Sequence, residues 1–348
     1  MHEPSPTDTL PPSPTASRTS TPTSTATATL NPTVNYPLQP GQVINRENAG
    51  RVIRLGTVHE KLALGEAGAQ LAWSPDSSRI AVTTEGDGVR IIDPLQMEEV
   101  GEIRQNTEGI FDRPGGIAYS PNGKFLAVTI PCGIYSNPCH TVFYDAQTYS
   151  RPGKELEHTG AYVLTFSHNG KWMAYGSRAI ARVMNLESYE GLFLVAESHS
   201  WYDLVLFSED DRYFAVSGVN LADSLLVSTA TWSLEYELDG KICFSPDNLH
   251  FAMTPGIWEL DTYQEVMIFG EDFSIGACSF GKQGDILINS HGGTGLDIWD
   301  TATGELLAIL GDRAENRWYS FSLSPDGRLI ALVDWDAGGV SFWGIQEA

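Results

Sequence analysis

The sequence predicts an all-β fold, a closed ring of seven four-stranded blades behind a disordered tail, on three observations. First, one strand–turn–strand unit recurs seven times, at residues 71–82, 117–128, 164–175, 205–216, 242–253, 278–289 and 321–332. A period near 40 residues marks a repeat architecture, whose units cannot bury their apolar faces alone. Second, the apolar runs within each unit alternate with period two, as strands with two different faces do. Third, a lone strand (52–58) precedes the first copy, while the last copy stops one strand short of the others. Together these describe a seven-bladed β-propeller closed by its N-terminal strand, because an open sheet edge is a liability.

Within each copy, position 0 is large: Trp73, Tyr119, Phe166, Phe207, Phe244, Phe280 and Leu323. Position −2 is also apolar (Leu71, Ile117, Leu164, Val205, Ile242, Cys278, Phe321), whereas position −1 is mostly small, as in Ala72, Ala118 and Ser322. A polar turn follows, Ser-Pro-Asp-Gly in its fullest form at 324–327, and its residues suit a tight reversal. The second apolar run carries alanine at one fixed site (Ala81, Ala127, Ala174, Ala215, Ala252, Ala331), replaced by Ile288 in the sixth copy. A small residue held in register implies a close-packed layer. Third strands follow, such as 89–93 and 296–300, then a five-residue turn and an outermost strand such as 306–310.

Two segments are expected: a disordered Ser/Thr/Pro-rich tail or linker at 1–49 and the propeller at 50–348. Residues 4–34 are almost wholly Ser, Thr, Pro and Ala, too poor in apolar side chains to offset the entropy of ordering. No run of about 20 apolar residues is present, and the polar N-terminus lacks the apolar core of a signal peptide. The chain holds 44 Asp and Glu against 21 Lys and Arg, a net charge of −23. Such an excess repels phosphate backbones and anionic headgroups, which disfavours nucleic acid and membrane surfaces as partners.

The stretch LDIWDTATGELLAIL, residues 296–310, resembles a WD40 repeat, with Trp299-Asp300 as the signature dipeptide. The Ser-Pro-Asp-Gly hairpins resemble those of bacterial WD40-like and TolB-type propellers. The Ser/Thr/Pro tail followed by Asn-Arg-Glu-Asn-Ala-Gly-Arg at 45–51 is similar to bacterial surface lipoproteins. The resemblance covers about 50–348 and implies a propeller, an exported protein and surface tethering through an upstream signal or lipid anchor. Only one copy carries Trp-Asp and none carries the Gly-His that opens WD40 repeats.

Cys243 and Cys278 fall at positions −1 and −2 of neighbouring innermost strands, so their side chains are expected on different faces, as small buried residues rather than a disulfide. Cys132 and Cys139 flank a Gly/Pro/Asn insertion, where a bridge closing the loop is expected and would suit an exported protein. No nucleophile elbow, zincin pair or phosphate loop occurs. His59-Glu60 lacks a second histidine, the glycines at 292–295 precede no helix, and the calcium-like stretch at 334–339 lacks the later ligands. No catalytic residue, cofactor or metal is expected. Aromatic and arginine side chains, the types that dominate binding hot spots, occupy connections leading into innermost strands: Phe111 and Arg113, Trp201 and Tyr202, and Arg317, Trp318 and Tyr319, joined by Tyr135 in the insertion. The expected function is a non-catalytic, monomeric scaffold presenting these connections to a protein or peptide partner. The alternative is a hydrolase or a glycan-binding or small-molecule-binding propeller with its site in the central channel, since propellers also host enzymes.

Overall fold

The computed structural model describes residues 38–346 apart from 40, 59–68, 85–87, 105–114, 131–138, 152–154, 159–160, 177–180, 195–201, 219–223, 271–272, 274–275, 291–294, 312–319 and 335–338. A single strand, β1 (Ile53–Val58), precedes the repeats. Blade one is β2 (Leu71–Trp73), β3 (Ile80–Thr84), β4 (Gly88–Asp93) and β5 (Glu98–Ile103). Blade two is β6 (Ile117–Tyr119), β7 (Phe125–Ile130), β8 (Cys139–Asp145) and β9 (Glu155–His158). Blade three is β10 (Val163–Phe166), β11 (Trp172–Gly176), β12 (Ala181–Asn185) and β13 (Gly191–Leu194). Blade four is β14 (Tyr202–Phe207), β15 (Tyr213–Gly218), β16 (Ser224–Ser228) and β17 (Ser233–Leu238). Blade five is β18 (Cys243–Phe244), β19 (His250–Met253), β20 (Gly256–Glu259) and β21 (Glu265–Ile268). Blade six is β22 (Ala277–Phe280), β23 (Ile286–Ser290), β24 (Leu296–Asp300) and β25 (Leu306–Leu310). The last copy supplies β26 (Phe321–Leu323), β27 (Leu329–Asp334) and β28 (Gly339–Gly344).

Each of the first six blades is a four-stranded antiparallel sheet in sequence order, and the seventh runs β1-β28-β27-β26. The N-terminal strand therefore completes the last blade, with Ile53 opposite Gly344 and Val58 opposite Val340. Innermost strands β2 and β26 are neighbours, which closes the ring.

Register explains the fixed small site. Ala81 pairs across the innermost hairpin with Ala72, Ala127 with Ala118 and Ala331 with Ser322. In these blades small faces small, giving one flat side, while positions 0 and −2 build the other, bulky side. Seven core clusters result, one per seam between blades. Trp73 and Ile80 of blade one pack on Ala331 of blade seven, Tyr119 and Ile117 on Ala81, and Phe207 and Val205 on Ala174. The six fixed alanines and Ile288 are fully buried. The bulky side of one blade thus fills the flat side of the one before it, at the density that folded interiors require.

The same geometry corrects the cysteine expectation: Cys243 and Cys278 form a disulfide, with their Cα atoms 5.9 Å apart. Opposite parity on two strands of one sheet separates side chains. On strands of two stacked blades it does the reverse, because the forward side of blade five meets the backward side of blade six. Cys243 lies on the flat side, Cys278 on the bulky side, and both belong to the cluster of that seam.

Residues 41–52, mostly within the expected tail, are packed under the seam of blades six and seven. Ile44, Ala49 and Val52 join its core, and the Ile44 amide donates to Gly327 O at 2.9 Å. A tight turn holds this strap: Asn48 Oδ1 accepts from the Asn45 amide at 2.9 Å, and Asn48 Nδ2 donates to Val43 O at 2.9 Å. Gly41 is required, since a Cβ there would stand 2.3 Å from Ile345 O.

Candidate functional site

One end of the ring is formed by the hairpins between first and second strands, and its chemistry starts from the serine after position 0. Ser74, Ser120, Ser167, Ser208, Ser245 and Ser324 are all buried. The Ser74 hydroxyl accepts from the Arg79 amide at 2.9 Å and donates to Asp76 at 2.7 Å. Ser120 does the same with Phe125 and Asn122, Ser167 with Trp172 and Asn169, Ser208 with Tyr213 and Asp210, and Ser324 with Leu329 and Asp326. Serine and Asp/Asn bond their own turn in this way because short polar side chains reach the nearby backbone. Blade six has Gly281 at the serine position. The Ser74 hydrogen bond holds the Asp76 carboxyl below the usual carboxylate range. At Asp210 and Asp247 burial pushes upward, yet the surrounding donors, Arg212 and Leu249 foremost, outweigh it and hold both low.

The fourth turn residue adopts a left-handed backbone in every copy. It is Gly123, Gly170, Gly284 and Gly327 in four copies, but Ser77, Asp211 and Asn248 in the others, with φ of 61°, 58° and 59°. Each of these three side chains crosses to the preceding blade. Asp211 accepts from the backbone amides of His168 and Asn169 at 2.7 and 2.8 Å, Asn248 from that of Asp210 at 2.9 Å, and Ser77 from that of Asp326 at 3.0 Å. Sequence reasoning missed these seam bonds. Their signal was a polar residue where the turn prefers glycine, tolerated because Asn and Asp enter the left-handed region most easily.

On the same end, Asp93, Asp145, Asn185 and Asp300 open the turns between third and fourth strands and each accept two backbone amides. In blade six Trp299 Nε1 donates to Asn289 Oδ1 at 2.7 Å, and Asp300 also lies 3.9 Å from Arg46 of the strap. Trp299 thus bonds within its own blade, while Asp300 lies beside the strap. His168 is flanked by Asp211 at 3.2 Å and Glu209 at 3.5 Å. Asp211 there accepts from two backbone amides. Among the described residues, no group of three or more His, Cys, Asp and Glu gathers as a metal site would. No helix among them is long and apolar enough to cross a membrane.

Phe111, Arg113, Tyr135, Trp201, Arg317, Trp318 and Tyr319 lie outside the described residues. Tyr202 opens β14, its backbone paired with Gly218, and its side chain lies outside the description. The expected bridge between Cys132 and Cys139 also lies outside it, since only the backbone of Cys139, paired with His158, is described. The His59-Glu60 pair falls outside as well, as do most of the 291–295 and 334–339 stretches. The described strand ends flanking all these stretches open at one end of the blades, opposite the serine turns, as antiparallel strand order requires. Compared with protein-family models and with curated proteins, the chain matches none.

Proposed function

We propose that the protein is a non-catalytic interaction scaffold that holds a protein or peptide partner on the connection-rich end of its propeller. The observation that supports this reading is the use made of polar side chains at the serine-turn end. On the described end, serine, aspartate and asparagine side chains are spent on their own turns and on neighbouring blades. The described strand ends flanking the segments of Phe111, Arg113, Tyr135, Trp201, Arg317, Trp318 and Tyr319 point to the opposite end, where Tyr202 opens β14. A rigid scaffold presenting connections from distant sequence positions loses little ordering entropy on binding. The WD40-like character of residues 296–310 agrees with this role.

The protein works outside the cytoplasm in this reading, tethered at the surface through its Ser/Thr/Pro segment. The Cys243–Cys278 disulfide supports that placement, because such bonds persist in oxidising compartments. The test is affinity capture from the native extracytoplasmic fraction, with the full chain as bait beside a Trp201→Ala/Trp318→Ala variant. A protein held by the first and lost by the second, at equal melting temperature, is the expected result. Equal retention by both baits, or none by either, would remove the connection-rich end as the binding surface.

A further inference from the structure

The outer rim of blades four to six departs from the rest of the described surface. Of the nine large apolar side chains exposed among the described residues, five lie on its outermost strands: Leu234, Tyr236, Val266, Ile268 and Leu306. Two contacts join neighbouring blades along it. The Tyr236 ring of β17 stacks on Tyr263 of blade five at 3.3 Å between centroids, and Tyr263 in turn packs near Phe251. From blade six, Gly304 lies so close to β21 that an added Cβ would meet Met267 Sδ at 3.1 Å and Ile268 O at 3.4 Å. Exposed apolar side chains grouped on neighbouring strands and bordered by polar groups mark a contact surface.

The border is acidic. Glu235 and Glu237 alternate with the apolar residues along β17, and Asp261 and Glu265 do so around β21, all four exposed. The nearest arginine, Arg212, is already held by Asp210 at 2.5 Å and lies 3.7 Å from Asp261. We propose that this rim docks a cationic amphipathic polypeptide segment, its aliphatic side chains on Tyr236, Val266 and Ile268 and its Lys or Arg on the interleaved carboxylates. Charge selects that occupant over a second copy of the chain: two molecules of net charge −23 would press acidic borders together, and like charges brought into an interface are costly. The rim holds its partner by side chains rather than by adding a strand. Bulges at Glu235 in β17 and Val266 in β21 break the edge ladder that a new strand would need.

The probe is a short fluorescein-labelled peptide of alternating lysine and leucine, titrated into the full chain and followed by anisotropy. Tyr236→Ser/Val266→Ser/Ile268→Ser is expected to weaken binding about tenfold or more. Glu235→Gln/Glu237→Gln/Glu265→Gln should weaken it and flatten its salt dependence. A lysine–serine peptide should bind far less, and the Trp201→Ala/Trp318→Ala variant should bind like the parent, since this surface is independent of the connection-rich end. Circular dichroism melts confirm that both rim variants fold. No binding, or equal binding by parent and rim variants, would overturn the proposal, the latter reducing it to general attraction by an acidic protein. Rim-dependent self-association in sedimentation equilibrium would overturn it too, in favour of a second copy.

Discussion

Two departures from the repeat, at different positions in different copies, belong to one contact. Blade six is the copy with Ile288 in place of the fixed alanine, and blade seven is the copy with Leu323 in place of an aromatic ring at position 0. Both sit in the seam between those blades, Ile288 fully buried and Leu323 packed against the cluster. Where the flat side gains bulk, the facing residue gives it up, which is how tightly packed cores tolerate exchange. Ile288→Ala alone should cost about 2–4 kcal/mol through the cavity it leaves, and Leu323→Phe alone about 1–3 kcal/mol through overpacking. The double variant should lose clearly less than the sum, as a double-mutant cycle by urea unfolding would register. Additive losses would mean that the two substitutions are independent accidents of the repeat.

At the scale of the element, the turns between strands make stability depend on acid. Asp76 carries a carboxyl lowered first by the Ser74 hydroxyl, and Asp145 one lowered first by the Thr148 amide. A carboxyl whose pKa is lower folded than unfolded binds more protons in the unfolded chain. Its contribution is whole above the unfolded value of about 3.9 and lost as pH falls through the folded one. The chain contains its own comparison, because Asn122 and Asn169 fill the Asp76 position and Asn185 the Asp145 position with the same acceptor geometry. Asp76→Asn/Asp145→Asn should therefore be less stable than the parent at pH 7 and converge with it as pH falls through the lowered folded values. Denaturant midpoints across that range decide the matter, and parallel curves would show that the two carboxyls do not act through ionisation.

Hairpins, turns and the alternation of large and small were legible in the sequence because each is written within one copy. The relations between copies were not. The parity rule that placed Cys243 and Cys278 apart holds within a sheet and inverts across a seam, where their Cα atoms stand 5.9 Å apart. Asp211 reads as an odd turn residue until blade three is set beside it, where it bonds two backbone amides. The strap at 41–52 escaped notice because its fit depends on Gly327, Asp285 and Ile345, far away in sequence. Closure was the exception, since a surplus strand at one end and a missing strand at the other need no geometry to be matched.

That closure carries a consequence for the whole molecule. Without β1 the outer edge of β28 would be bare, and Trp343, buried in the seam of blades six and seven with Val52, Ala49 and Ile44, would lose cover. Deleting residues 1–60 removes the burial of Ile44, Val52, Leu55 and Val58, each worth about 1.5–3 kcal/mol. At roughly 2–4 °C per kcal/mol for a chain of this size, the melting temperature should fall by about 10 °C or more. Deleting only 1–37 leaves the strap and β1 in place and should leave it unchanged. The disulfide acts differently, by shortening the unfolded chain: a closed loop spanning a separation of 35 residues corresponds to about 4 kcal/mol by loop entropy, and measured bridges often give less. Cys243→Ser/Cys278→Ser should therefore lower the melting temperature while leaving the ring closed and monodisperse. The longer truncation should lower it and also expose a sheet edge that draws molecules together. Light scattering beside calorimetry separates the two, and a truncation through residue 60 that stays monomeric and melts with the parent would mean that the ring is held shut by its seams alone.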